Sequence, residues 1–380
     1  MKILLVGEYS RLHNTLKEGL IKLGHEVTLI GTGDGFKNYP ADIKVTSIFI
    51  SNKFLHFIAK GIDKIFKVSL PELEYYFKIK KIIPQLTDYD VVQLINENSL
   101  KTAPKREIKL LKTLFNQNKK VFLLSCGTDY LSVKFAYDEK FKYSILTPFK
   151  ENKKLKGNYK FIIKYISKPY KKLHEYLFNN INGLIASDID YHIPLKDHSK
   201  YLGLIPNPIN IDVLKPKSID YNDKLVIFHG VNKQNYIKKG NRFFDEALEI
   251  IKNKFPQKVE IIRVESIPYD DYINLYSKAH ILLDQVYAYD QGYNALEAMA
   301  KGKVVFTGAE QEWLNYYNIK KDSVAINALP NTKVITKKLE WLIQNPKQIE
   351  EISSNARAFI EKEHNYIIIA QKYLNVWSNN

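Results

Sequence analysis

The run Gln291-Gly292-Tyr293-Asn294-Ala295-Leu296-Glu297-Ala298-Met299-Ala300-Lys301-Gly302-Lys303-Val304-Val305 carries the most chemistry in this chain. It reads as a glycine turn, a short helix, a second glycine that stops the helix, and a buried strand. A glycine entering a helix lets backbone N–H groups approach a ligand and aim at an anion. Here those would be the amides of Gly292, Tyr293 and Asn294. A carboxylate one turn further in, Glu297, accepts hydroxyl donors beside that anion. Phosphate next to a diol is what a nucleotide-sugar presents. An ordinary helix-to-strand turn uses the same glycines, so further groups must be found.

They lie upstream. His229-Gly230-Val231-Asn232-Lys233 is followed by Lys238-Lys239-Gly240, which supplies point positive charges without the bidentate fork of arginine. Lys239 directly precedes the glycine that opens a helix, which favours it over Lys238. Acids stand at Asp284, at the end of an apolar run, and at Asp290. The chain has no G-x-x-x-x-G-K-[ST], no H-E-x-x-H, no cysteine–histidine cluster and no G-x-S-x-G. Asp188-Ile189-Asp190 has the spacing of a metal–nucleotide clamp but suits a helix cap better. The expectation is no metal and no cofactor.

The elements that must position these groups alternate from the start. Residues 3–6 form an apolar strand, 14–23 an amphipathic helix ended by Gly24, and 27–30 the next strand, a βαβ opening that implies a parallel sheet. Further strands are expected at 91–94, 121–124 and 183–186, and helices at 72–83, 103–116 and 172–180. After the Pro/Asn-rich stretch 205–216 a second set begins: strands at 224–228, 259–264 and 281–283, helices at 241–252, 270–279, 332–344, 349–362 and 364–377. At 380 residues with 45% hydrophobic content, two domains of α/β size fit, with the ligand at the carboxyl ends of the strands.

The 291–305 run resembles the donor-binding signature of the family-4 glycosyltransferases of the GT-B fold, roughly E-x-F-G-x-x-x-x-E-A-M-A-x-G-x-P-V. The resemblance implies two Rossmann-like domains facing across a cleft. Residues 1–213 would bind acceptor, 214–362 would bind donor, and a terminal helix at 363–380 would cross back. It implies sugar transfer from a nucleotide-diphosphate donor to a glycan or lipid-linked acceptor, with retention, in bacterial surface polysaccharide assembly. A sugar-nucleotide epimerase of the same fold is the alternative. A non-enzymatic membrane- or nucleic-acid-binding protein would explain a net charge of +16 but not the 292–305 pattern, and an inactive glycosyltransferase is a further alternative, since Tyr289, Cys126 and Lys233 depart from the family's pattern.

The same resemblance distributes roles. Lys233 and Lys239 would hold the pyrophosphate, with Gly230 beside them. The loop after residues 259–264, with Ser266 and Ile267, would face the base, which no residue specifies. The family's first acid, eight residues before Glu297, is Tyr289 here. The sugar would then fall to Asp290 or Asp284. Ser125-Cys126-Gly127-Thr128-Asp129 resembles an H-G-x-D element with cysteine in the histidine's place. Asp129 and His13 are the acceptor-side candidates.

Charge adds a partner. The net charge is +16, and residues 140–172 hold eleven lysines and one acid, Glu151, interleaved with aromatics. Residues 53–81 mix Phe54, Phe57, Ile58, Ile62, Ile65 and Phe66 with seven lysines. Such stretches suit an anionic membrane surface. Lysine without arginine in the 140–172 block argues against specific nucleic-acid readout. With one cysteine, no membrane-length apolar run and a first apolar run too short for a signal peptide, the expected place is the cytoplasm, with a peripheral membrane contact.

Overall fold

A computed structural model describes residues 1–216, 224–267 and 269–380, with the side chains of residues 36, 269 and 270 left out. Its strands are β1 (Lys2–Val6), β2 (Glu26–Gly31), β3 (Ile43–Lys44), β4 (Val91–Leu94), β5 (Lys120–Ser125), β6 (Gly183–Ala186), β7 (Tyr201–Leu204), β8 (Leu225–Val231), β9 (Val259–Glu265), β10 (Ile281–Leu283), β11 (Val304–Thr307) and β12 (Ile326–Asn327). They form two parallel sheets, in the orders β3-β2-β1-β4-β5-β6-β7 and β12-β11-β10-β8-β9. The central strands are apolar on both faces because helices cover both.

The chain divides into two compact units. The first comprises residues 1–134, 160–208 and 366–380; the second comprises 135–159 and 209–365. In the first, the C-terminal helix Tyr366–Asn379 packs along the Leu12–Lys22 helix. Gly19 permits that approach, since a Cβ there would lie 2.4 Å from the Tyr366 carbonyl oxygen. Gln93 is polar yet fully buried in β4, and its Oε1 accepts the Trp377 indole N–H at 3.0 Å. The terminal helix is thereby fastened to the middle of the first sheet.

In the second unit, residues 141–143 lie against the loop after β10. The Lys142 amide donates to the Tyr289 hydroxyl at 2.8 Å, and the rings of Phe141 and Tyr143 sit 5.1 and 5.5 Å from that of Tyr289. The Tyr143 hydroxyl donates to Glu310, which also accepts from Asn327 Nδ2 at 2.9 Å.

Candidate functional site

Parallel register builds the candidate site in the second unit. Leu283 pairs with Phe306, so the next residues, Asp284 and Thr307, stand side by side at the carboxyl edge. The Asp284 carboxylate is buried and accepts from Lys239 Nζ at 2.7 Å, Asn294 Nδ2 at 3.1 Å and Thr307 Oγ1 at 3.4 Å. Tyr272 Oη donates to the Asn294 side-chain oxygen at 3.3 Å. Lys239 is placed by Gly240, which adopts φ +70° and would meet Val286 at 2.1 Å if it carried a Cβ. The Val286 amide donates to the Lys239 carbonyl at 3.0 Å.

The helix Tyr293–Ala300 starts beside this cluster, capped by Gly292 with no side-chain hydrogen bond. The first N–H groups of any helix lack intrahelical acceptors. Gly292 has φ −80°, which any residue adopts, and the nearest atom to a Cβ built there is 3.9 Å away. Neither the backbone nor a neighbour demands glycine at this position. The approach loop is held firmly, with Gln291 Nε2 donating to the Gly308 carbonyl at 2.7 Å and the Glu310 amide to the Tyr289 carbonyl at 3.2 Å. Glu297 lies half-buried one turn into the helix.

The structure thus joins Lys239, Asp284 and Asn294 in one hydrogen-bonded group, with Gly292 and Tyr293 on the same turn. Lys238 is buried, and that burial lowers its pKa. Lys233 stands apart, largely exposed, with its ammonium 3.8 Å from Glu265. Asp290 accepts from the Gln291 amide at 2.7 Å. Gly230 has no room for a side chain, since its Cβ would meet Tyr272 at 2.5 Å. In the loop after β9, Ser266 takes φ +50° and its amide donates to the Val231 carbonyl at 3.0 Å. Ile267 is half-buried, and Pro268 lies outside the described residues.

Sequence reasoning missed the supporting layer. Thr307 and Tyr272 give no local signal, although Thr307 follows from aligning the ends of neighbouring parallel strands. The same holds for the buried His229, whose Nδ1 lies 3.3 Å from the Leu283 carbonyl and whose pKa burial lowers to about 4. Nearby, Asp245 binds Arg263 at 2.7 Å and the Tyr236 hydroxyl at 2.8 Å. Among the described residues no group of three or more His, Cys, Asp or Glu converges on a possible metal position.

In the first unit Asp129 is engaged locally. It accepts from the Ser132 amide at 2.7 Å, at the start of the Tyr130–Tyr137 helix, and from the Ser125 hydroxyl. Beside it, Glu97 is buried and accepts from the Tyr130 amide at 3.0 Å, with His174 Nδ1 at 2.7 Å. Burial raises its pKa. Burial pushes the Cys126 thiol well up, which disfavours the thiolate at neutral pH.

His13 is fully buried, with Nδ1 2.7 Å from the Gly7 carbonyl. Burial lowers its pKa to about 3, against the smaller opposing effect of that hydrogen bond. It is neutral at neutral pH, so a proton-donating role does not suit it. Its folded pKa lies below the ordinary 6.5, so its contribution to stability is present above pH 6.5. That contribution is lost as pH falls toward 3, amounting to a few kcal/mol, on the order of 1.4 per pKa unit. His13→Gln should therefore flatten the acid-unfolding curve over that window. An unchanged slope, or a His13 NMR titration near 6.5, would contradict the buried neutral ring.

Solved structures share this architecture. HepE from Anabaena, in complex with UDP-glucose, superposes with a TM-score of 0.61 at 12% identity over 100% of both chains. Sucrose-phosphate synthase from Thermosynechococcus elongatus gives 0.60 at 12%, covering 100% of this chain and 99% of that one. A putative UDP-N-acetylglucosamine 2-epimerase from Listeria monocytogenes gives 0.55 at 11%, covering 98% and 95%. Residues 235–375 match the sequence family described as "Glycosyl transferase-like". No curated protein matches the chain by sequence. The fold is GT-B, and the glycosyl transferase-like sequence match is confined to the C-terminal part of the chain.

Proposed function

We propose that the protein transfers a sugar, with retention, from a nucleoside-diphosphate donor to a hydroxyl of a glycan or lipid-linked acceptor. The observation that carries this is Gly292. It is a glycine with no conformational or packing need, at a helix start beside a buried Asp284–Lys239 pair. Close approach of a diphosphate supplies the missing reason. As the glycosidic C–O bond breaks, negative charge grows on the β-phosphate, and the Lys239 ammonium and the helix N–H groups are preorganised against it. Asp284 orients Lys239 and Asn294, while Glu297 takes the ribose hydroxyls. In a same-face scheme the departing phosphate accepts the proton of the incoming hydroxyl, so no base is required from the protein. The sugar-contacting acid is then Asp290, since Asp284 is committed to holding Lys239.

Two neighbours are described in complex with UDP, namely HepE and the S. aureus protein MnaA, so UDP heads the ligands to try. The epimerase reading shares the fold, but the sequence match over 235–375 favours transfer.

The test is a thermal-shift panel of nucleoside diphosphates. A bound one at 100 times its Kd should stabilise the protein by roughly 2.7 kcal/mol. Gly292→Ala should leave the unliganded Tm unchanged and weaken that nucleotide on the order of tenfold or more. Glu297→Ala should weaken it without unfolding. Wild-type affinity in both variants would remove the site from the donor.

A further inference from the structure

The helix Lys53–Phe66 is begun by Asn52, whose side-chain oxygen accepts from the amides of Phe54 and Leu55 at 2.9 and 3.1 Å. Lys67 ends it at φ 57°. It rests on the Ile48–Ser51 and Leu70–Ile82 helices through one side, with Ala59 buried and Leu55 and Ile62 half-buried. That spacing of four and seven residues uses only a narrow face.

A second apolar face looks outward. Phe54, Phe57, Ile58, Gly61 and Ile65 follow the spacing i, i+3, i+4, i+7, i+11, and so share one stripe. Phe54, Phe57 and Ile65 are 71%, 77% and 71% exposed. Phe66 at the helix end and Ile48 and Ile50 on the preceding helix extend the exposed apolar surface. Lys53, Lys60 and Lys64 run along one flank with the same repeat, and Asp63 is the helix's only acid.

We infer that this helix is a docking surface for an anionic phospholipid bilayer, in whose interface it lies flat. The charge pattern selects that occupant. Aromatic and aliphatic side chains on one face with lysines on its flank are what an interfacial helix presents, the apolar side sinking about 5–10 Å below the headgroups. A twofold pairing with a second copy would bring two lysine flanks into one interface with little acid to offset them. The 140–172 block does not offer a comparable face: Phe149, Tyr159, Tyr165 and Tyr170 are buried.

Topology gives the contact a direction. The chain leaves β3 at its carboxyl end and returns through the Leu70–Ile82 helix toward the start of β4. The excursion between them therefore lies at the carboxyl edge of the first sheet. Open α/β sheets bind ligands at that edge. The bilayer would thus lie along the edge where this unit takes a ligand, which suits an acceptor carried on lipid. The docking itself does not rest on the transferase reading.

The experiment is co-sedimentation of the full chain with phosphatidylcholine vesicles, with and without phosphatidylglycerol. Wild type should bind the anionic vesicles only and be released by high salt. Lys53→Glu, Lys60→Glu and Lys64→Glu together should weaken binding on the order of 100-fold, at about fivefold per lysine. Phe57→Trp should bind as wild type and shift its fluorescence to the blue on vesicles. Phe54→Ser with Phe57→Ser should abolish binding while leaving the Tm and nucleotide affinity unchanged. Three outcomes would overturn the inference: no sedimentation at low salt, unimpaired binding by the double-serine variant, or a dimer that this variant dissolves with no vesicle binding by wild type.

Discussion

Lys239→Ala should cut turnover by roughly 10²–10³-fold, the usual cost of removing a donor aimed at a developing oxyanion. The substitution acts twice, because Lys239 also pairs at 2.7 Å with the buried carboxylate of Asp284. Stripped of its cation, that carboxylate keeps Asn294 and Thr307 among the described residues. The variant should also lose about 1–3 kcal/mol of stability, less than a fully buried pair because the ammonium reaches solvent. Asp284→Asn added to Lys239→Ala restores a neutral, hydrogen-bonded centre and should recover the Tm. It should not recover turnover, and that split separates charge stabilisation from folding. Lys238→Ala makes the reverse comparison: the side chain is buried, so stability should fall more than rate. Turnover of Lys239→Ala within about threefold of wild type would remove this lysine from the chemistry.

Trp377→Ala should cost about 3–5 kcal/mol, the range for a fully buried large aromatic. Trp377 is 0% exposed, contacts the ring of Phe122 and donates to Gln93 at the centre of the first sheet. Its removal opens a cavity and strands the Gln93 oxygen without its donor. Gly19→Leu attacks the same joint from the other side, because even a Cβ at Gly19 collides with the terminal helix backbone. Both variants should show a lowered urea midpoint, with Trp377→Phe intermediate. A Trp377→Ala midpoint equal to wild type would mean that the terminal helix does not brace this sheet.

Legibility in the sequence followed how local each cause is. The strands Val91–Leu94 and Gly183–Ala186 and the helix Thr332–Gln344 read to the residue, because an apolar run or stripe with clear ends marks each one. The edge strands β3 and β12 are two residues long, and β7 is half-buried with Gly203 at φ 111°, so none carries a usable pattern. In the candidate site, Gly292, Lys239 and Glu297 were visible from spacing along the chain. The function of Tyr289 was not. It looks like a lost acid until the structure shows its hydroxyl and ring holding residues 141–143, a partnership across about 150 positions. Asp284 likewise reads as a possible sugar ligand, and only the register with β11 reveals what it holds.

The order in which the chain enters its two units has a consequence for its synthesis. The first unit receives residues up to 134, then 160–208, and is completed only by 366–380. On a ribosome working at about 5–20 residues per second, the closing helix would emerge roughly 8–30 s after the rest of that unit. Through that interval the groove along the Leu12–Lys22 helix and the polar Gln93 in the middle of the sheet would have no cover. The nascent first unit is therefore a natural client for a chaperone that shields apolar surface. Early termination before residue 366 would leave a product with a permanently open sheet face.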